Sequence, residues 1–180
     1  MVPPRILFLA SALALAAGRL HGGEFQAAAG LFFLVPEGAD VTVAYRPDRS
    51  PWSFGLRYVQ WRDTSHDIFT GRSLSHTRET RTGPLVSYRF RPQAPGGAYL
   101  AVSLYRWTKR ETSLVGGDSG TAATTSPAFG GGYSHAMGRH GFWNVGMLLS
   151  PGTRLDTHTS TGSEQDSGTF DVLALMGVRF

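Results

Sequence analysis

From residue 39 to the end, the chain alternates between apolar and polar or small side chains. In "WSFGLRY", Trp52, Phe54, Leu56 and Tyr58 alternate with Ser53, Gly55 and Arg57. The stretches "VTVAY" (41–45), "VSYRF" (86–90), "AYLAVSLY" (98–105) and "FWNVGMLL" (142–149) repeat that period. At the end, Phe170, Val172, Ala174, Met176, Val178 and Phe180 form one face, and Asp171, Leu173, Leu175, Gly177 and Arg179 the other. Successive strand residues point to opposite faces, so a period of two predicts strands. Eight are expected, at about 25–35, 39–46, 52–62, 83–91, 97–109, 127–138, 141–153 and 169–180. The first is the weakest, because "FQAAAGLFFLV" becomes apolar on both faces. No stretch carries a helical period of useful length.

The connections fall into two kinds. "PDRS", "PQAPGG" and "GRHG" are short turns rich in Pro, Gly and Asp, and "PEGA" at the first joint is also short. Residues 63–82, 110–126 and 154–168 are long and polar, and are expected to be loops. Short and long joints alternate through most of the chain, which gathers the long ones at one end of an up-and-down structure.

The first residues differ. Arg5 precedes "ILFLASALALAA" (6–17), an apolar run followed by small residues. This is the plan of a cleaved secretory signal peptide over 1–23, with the cut somewhere in 16–23 and one barrel domain over 24–180. The run is too short for a membrane helix, which needs about 20 apolar residues. The chain of 180 residues holds no cysteine, so disulfides and thiolate metal sites are excluded. Its net charge of +4 is carried mostly by arginine, Lys109 being the lone lysine. In an exported chain this argues against nucleic acid as the partner.

Alternation alone leaves open which face is inside. Three features decide it. Aromatics mark the ends of the apolar faces: Tyr45, Trp52, Phe90, Trp143 and Phe180 near the short turns, Tyr58 and Phe129 nearer the long joints. Such girdles belong at membrane interfaces. The other face carries Arg57, Arg89, Asp171 and Arg179, which a thin soluble core would bury at high cost. Short and long joints also segregate behind a leader segment. The expected fold is therefore all-β: an eight-stranded antiparallel up-and-down transmembrane β-barrel, apolar outside and polar inside.

On these residues the chain resembles the small bacterial outer-membrane β-barrels of the OmpA/OmpX type. In that family the last strand ends in an aromatic preceded by apolar residues at every second position, and the outer-membrane assembly machinery recognises that end. Phe180, Val178, Met176 and Ala174 occupy those positions here. Val178 stands where the family often has a second aromatic. The resemblance implies a cell outer membrane location, periplasmic termini, extracellular loops at 63–82, 110–126 and 154–168, and outer-membrane lipid as the surroundings.

Candidate site residues follow from this frame. Arg57, Arg89, Arg179, Asp40 and Asp171 are expected to form a lumen network, helped by Tyr99, Tyr105 and Asn144. Eight strands leave an interior that side chains can fill, so a plugged lumen is expected. Near the long joints, Arg62, Arg78, Arg81, Arg106, Lys109, Arg110 and Arg154 are candidate contacts for lipopolysaccharide phosphates. No cofactor and no metal is expected, since the six histidines form no ligand pair at i, i+2 or i, i+4. The leading role is structural or interactive, without catalysis.

Two other roles stay open. One is a narrow channel or carrier for small apolar molecules, as in OmpW-type barrels, for which the inward Leu148, Leu173 and Leu175 are a hint. The other is a lipid A-modifying enzyme, since "HTS" (158–160) resembles the His-x-Ser of lipid A deacylases, although here it falls in a polar joint. "GGDSGT" (116–121) echoes a protease nucleophile loop but lacks that family's next glycine and a matching histidine.

Overall fold

The computed structural model describes residues 22–30, 38–67, 69–159 and 162–180, with the backbone alone along 162–169. Eight strands run in chain order: β1 Gly23–Gly30, β2 Ala39–Pro47, β3 Trp52–His66, β4 Ser73–Arg89, β5 Gly96–Ser113, β6 Ser119–Met137, β7 Gly141–Thr159 and β8 Gly162–Arg179. Each pairs antiparallel with the next, and β1 closes on β8 through Gln26↔Arg179 to Gly30↔Leu175. The result is a closed barrel. Closure leaves no free sheet edge along the paired length.

The faces are inverted relative to a soluble protein. Leu56 is 66% exposed, while its neighbour Arg57 is 2% exposed. Leu100, Val102 and Leu104 stand exposed on β5, while Tyr99, Ala101 and Tyr105 between them are buried. The outward apolar belt runs from Trp52 to Tyr58 on β3, about 20 Å along the strand at 3.3 Å per residue. Aromatics ring its short-turn edge. Trp52 meets Tyr88 at 4.9 Å and Tyr88 meets Phe90 at 5.5 Å, both edge-on, and Tyr133 lies 5.9 Å from Trp143.

The long joints differ from expectation. Residues 63–82, 110–126 and 154–168 are not loops: most of each continues the strands on either side. Among the described residues, β3 and β4 pair out to His66↔Ser73, and β5 and β6 to Thr112↔Ser119. Beyond the apolar belt the outward residues are polar as well as the inward ones, so the apolar–polar contrast that marks a strand disappears. The backbone ladder does not depend on it. These segments are rich in Thr, whose branched Cβ favours strands.

In β7, Pro151-Gly152 looks like a turn but acts as a bulge, where the pairing with β8 shifts between Ser150 and Arg154. Gly152 takes φ +74°, open to glycine without strain. The bulge switches the inward parity from Leu148 and Ser150 to Thr153, Leu155 and Thr157.

At the start of the chain, the described part of β1 begins at Gly23, two residues before the expected 25, and runs to Gly30. Residues 31–37, which hold the end of the expected first strand and the first half of the "PEGA" joint, lie outside the described residues. So does the expected leader as far as residue 21. Among the described residues, β3 to β8 run 15 to 19 residues, against 9 for β2.

Candidate functional site

The inward face has three levels. At mid-height, Arg57 on β3 reaches across the lumen. Its Nη2 donates to Asp40 Oδ2 at 2.8 Å and its Nε to Asp40 Oδ1 at 3.1 Å. Its Nη1 donates to Tyr105 Oη at 2.9 Å and lies 3.4 Å from Asp171 Oδ2. Asp171 also takes a bond from Arg81 Nη1. The Arg81 guanidinium lies between two indoles, 4.4 Å from the Trp61 ring and 4.8 Å from that of Trp107. Trp107 Nε1 donates to Glu79 Oε2 at 3.0 Å, which stands 3.6 Å from Arg81 Nη2. Two arginines, three carboxylates and two tryptophans thus form one stack across the barrel. A buried charge needs such pairing, and removing one partner leaves the other stranded.

Towards the short turns, Leu148, Leu173, Leu175, Tyr99 and Phe142 pack inward. Below them, Arg46 donates to Glu24 at 2.8 Å and Arg179 Nη1 stands 3.9 Å from the same carboxylate. Arg89 donates to the Ser134 hydroxyl at 2.6 Å. The expected five-residue network is therefore two. Arg57, Asp40 and Asp171 come together with Tyr105, but Arg89 and Arg179 belong to the mouth. Of the other expected helpers, Tyr99 and Asn144 face the lumen without joining the ion pairs.

Above the stack Lys109, Glu111, Ser113 and Thr157 are buried together with Leu155, and Thr157 Oγ1 donates to Glu111 Oε2 at 3.3 Å. Two expected rim contacts are thereby corrected. Arg81 is 5% exposed and Lys109 2%, so both are lumen residues. The period could have placed them: Arg81 shares odd parity with Arg89, and Lys109 with Tyr99 and Tyr105. The sign is lost because the pattern begins β4 only at 83, which puts Arg81 in a loop.

Arg62, Arg78, Arg106, Arg110 and Arg154 do point outward and are exposed. Arg62 faces Arg78 across β3–β4, and Arg78 faces Arg110 across β4–β5. Three guanidinium-bearing residues thus lie side by side on three strands. Like charges directly opposite one another destabilise a sheet. Among the described residues no carboxylate lies within ion-pair distance of this row; Arg78 Nη2 donates to Gln60 Oε1 at 2.6 Å. A groove of about 460 Å³ holds the row together with His76 and Thr112. The row stands four residues beyond the level of Arg106, itself the next outward residue after the apolar Leu104, or about 13 Å further along the strand.

The catalytic candidates do not assemble. His158 lies on β7 rather than in a loop and is exposed, and Ser160 lies outside the described residues. His135 stacks at 5.8 Å on Trp143, while Ser134 beside it in sequence faces the lumen. In the 116–121 stretch, Gly116 N donates to Ser113 Oγ at 3.0 Å, an ordinary turn contact. Another cavity, of about 280 Å³, lies between β3 and β8, lined by Val59, Trp61, Phe170 and Val172 and reaching Asp40 and Arg57. At the C-terminus, Met176, Val178 and Phe180 are exposed on the outer face, with Phe180 N donating to Phe25 O at 2.9 Å.

An apolar belt outside, ion pairs inside and eight meandering strands define the fold of the small eight-stranded outer-membrane β-barrels. Solved structures agree. The chain is similar to Ail, the attachment invasion locus protein of Yersinia pestis, at 13% identity and TM-score 0.55 over 88% of this chain and 99% of that one. It is similar to Neisserial surface protein A at 17% identity and TM-score 0.51, over 87% and 94% of the two chains. A major outer membrane protein from Thermus thermophilus gives 12% identity and TM-score 0.51 over 88% and 98%. No protein-family model and no curated protein sequence matches the chain.

Proposed function

We propose that the protein is an integral barrel of the bacterial outer membrane, with a closed lumen, that works through its outward upper face. The observation that carries the membrane reading is the inversion at Leu56 and Arg57: a leucine exposed where an arginine is buried. Water would reject that arrangement and lipid favours it. The short turns then face the periplasm, with both termini, and the long hairpins stand outside the cell. Met176, Val178 and Phe180 are in place to serve as the signal read by the assembly machinery. The Arg57 stack closes the lumen, so planar bilayers should show no single-channel conductance above background. Steady channels would overturn the closed lumen.

The partner best suited to the outer face is the phosphorylated saccharide of lipopolysaccharide. Arginine grips phosphate through two parallel bonds, and an anion on Arg62, Arg78 and Arg110 would relieve their mutual repulsion. Arg106, just above the belt, is at the height of lipid headgroups, and the row stands higher, where sugars lie. A second Ail structure, titled as a complex with the heparin analogue sucrose octasulfate, matches this chain with TM-score 0.52 and 14% identity. That molecule is a convenient polyanionic probe. The triple variant Arg62→Ser, Arg78→Ser, Arg110→Ser should lose most retention of lipopolysaccharide, and sucrose octasulfate should compete with the native protein. Equal retention by native and variant would remove this reading.

The cavity between β3 and β8 favours a second reading, a carrier for small apolar molecules. A detergent-like alkyl ligand that protects Trp61 from quenching would support it.

A further inference from the structure

Just on the short-turn side of the ion-pair stack, the lumen is not filled. A chamber of about 40 Å³ lies there, lined by Gln26, Thr42, Tyr99 and Asn144 and by apolar side chains that include Phe142 and Leu173. Three buried polar atoms belong to its lining: Thr42 Oγ1, Tyr99 Oη and Asn144 Oδ1. None has a hydrogen-bond partner among the described residues. Leaving such a group unpaired costs about 1–3 kcal/mol. All three atoms belong to residues that line this one chamber.

The backbone shapes this space around one hydroxyl. Opposite Tyr99, a Cβ on Gly132 would stand 2.8 Å from Tyr99 Oη and one on Gly146 2.6 Å. Each alanine would clash first with neighbouring backbone, Val145 O or Gly131 O respectively, and then with the hydroxyl that lines the chamber. Tyr105 supplies the contrast. It is on the same strand and face, is also buried (2% exposed against 6% for Tyr99), and its hydroxyl takes a bond from Arg57 at 2.9 Å. One tyrosine is satisfied by protein and the other is not.

We propose that this chamber is a water-binding site, holding a small cluster of water hydrogen-bonded to Thr42, Tyr99 and Asn144. About 10–15 Å³ of such space suffices for one molecule, and a buried water makes about three bonds to polar groups. The supply of one hydroxyl of either role, one tyrosyl hydroxyl and one amide acceptor matches that need. The consequence concerns closure of the lumen. Water reaches up to the level of Thr42, which faces Arg57 across β2–β3. The Arg57–Asp40–Asp171 layer and the leucines beside it are then the seal, not a lumen packed dry from end to end.

X-ray hydroxyl-radical footprinting of the refolded native barrel tests this, because bound water becomes the radical source for the ring beside it. Tyr99 should be hydroxylated several-fold more than Tyr105 despite similar burial. Labelling of Tyr99 at or below the Tyr105 level would overturn the proposal. The double variant Thr42→Val, Asn144→Leu, which strips the chamber of two anchors, should bring Tyr99 down to the Tyr105 level. Undiminished labelling there would mean that bulk solvent reaches the ring through the mouth, and would equally overturn a bound-water site.

Discussion

The lower and upper halves of the barrel wall share one backbone ladder but not one environment. Along β5, the outward residues Leu100, Val102 and Leu104 of the lower half are apolar, whereas Arg106, Thr108 and Arg110 above them are polar. The inward face is layered instead: ion pairs of Arg46, Arg179 and Glu24 at the short-turn mouth, then leucines, alanines and the chamber, then Arg57 and Arg81 with their carboxylates. A strand is thus compatible with any alternation, or none, provided its hydrogen bonds are paired around the barrel. The surroundings select the side chains, not the ladder.

Several substitutions would break or sharpen this contrast. The largest effect is expected at mid-lumen. Arg57→Ala strands Asp40 and leaves Tyr105 short of a donor, and should lower unfolding stability in urea by about 3–5 kcal/mol. Next comes a matched pair on one face of β5. Val102→Arg puts a charge in the lipid belt and should cost about 2–4 kcal/mol, whereas Thr108→Arg, six residues higher, should cost about 0–1. Equal costs at the two positions would erase the boundary. Trp107→Phe removes the bond to Glu79 and weakens the stacking on Arg81, for about 1–2 kcal/mol in the same assay.

The smallest effect lies at the hairpin tip between β3 and β4. The Asp67 carboxylate accepts the backbone N–H of Thr70 and that of Phe69, each at 2.8 Å. These bonds hold its pKa below the usual carboxylate value. A lowered folded pKa means that the ordering is present above the unfolded value and lost as pH falls through the folded one. Amide exchange at 69–72 should therefore quicken on acidification below about pH 4, relative to the exchange expected for an open turn. Asp67→Asn should blunt that dependence, and a tip insensitive to pH would remove the role given to the carboxylate.

The sequence shows the lower half well and the upper half poorly, for one physical reason. Where lipid lies on one side, period two is enforced, so Trp52 to Tyr58 and Phe170 to Phe180 can be assigned to faces residue by residue. Where water lies outside, Thr, Ser and Arg suit both faces, and the pattern makes β4, β6 and β8 too short. That error carries into the site. Arg57, Asp40 and Asp171 lie within strands that the pattern marks, and they stand together in the lumen. Arg81, Glu79 and Lys109 belong to the same lumen but fall in or beside segments that look like loops. Arg89 and Arg179 share the right face but stand too low to join the stack, and parity carries no height. The in-register row of Arg62, Arg78 and Arg110 requires the strand register, which pattern alone does not give.

The most direct test of the inverted barrel is a spin label walked along one face of β5. The cysteine-free chain makes single-cysteine variants at positions 100, 102, 104, 106, 108 and 110 simple to prepare. In lipid vesicles, labels at 100 to 104 should collide often with oxygen and rarely with a water-soluble nickel chelate. That ratio should invert by 110. Frequent nickel collisions at all six positions, from a protein that stays dissolved without detergent, would contradict the account.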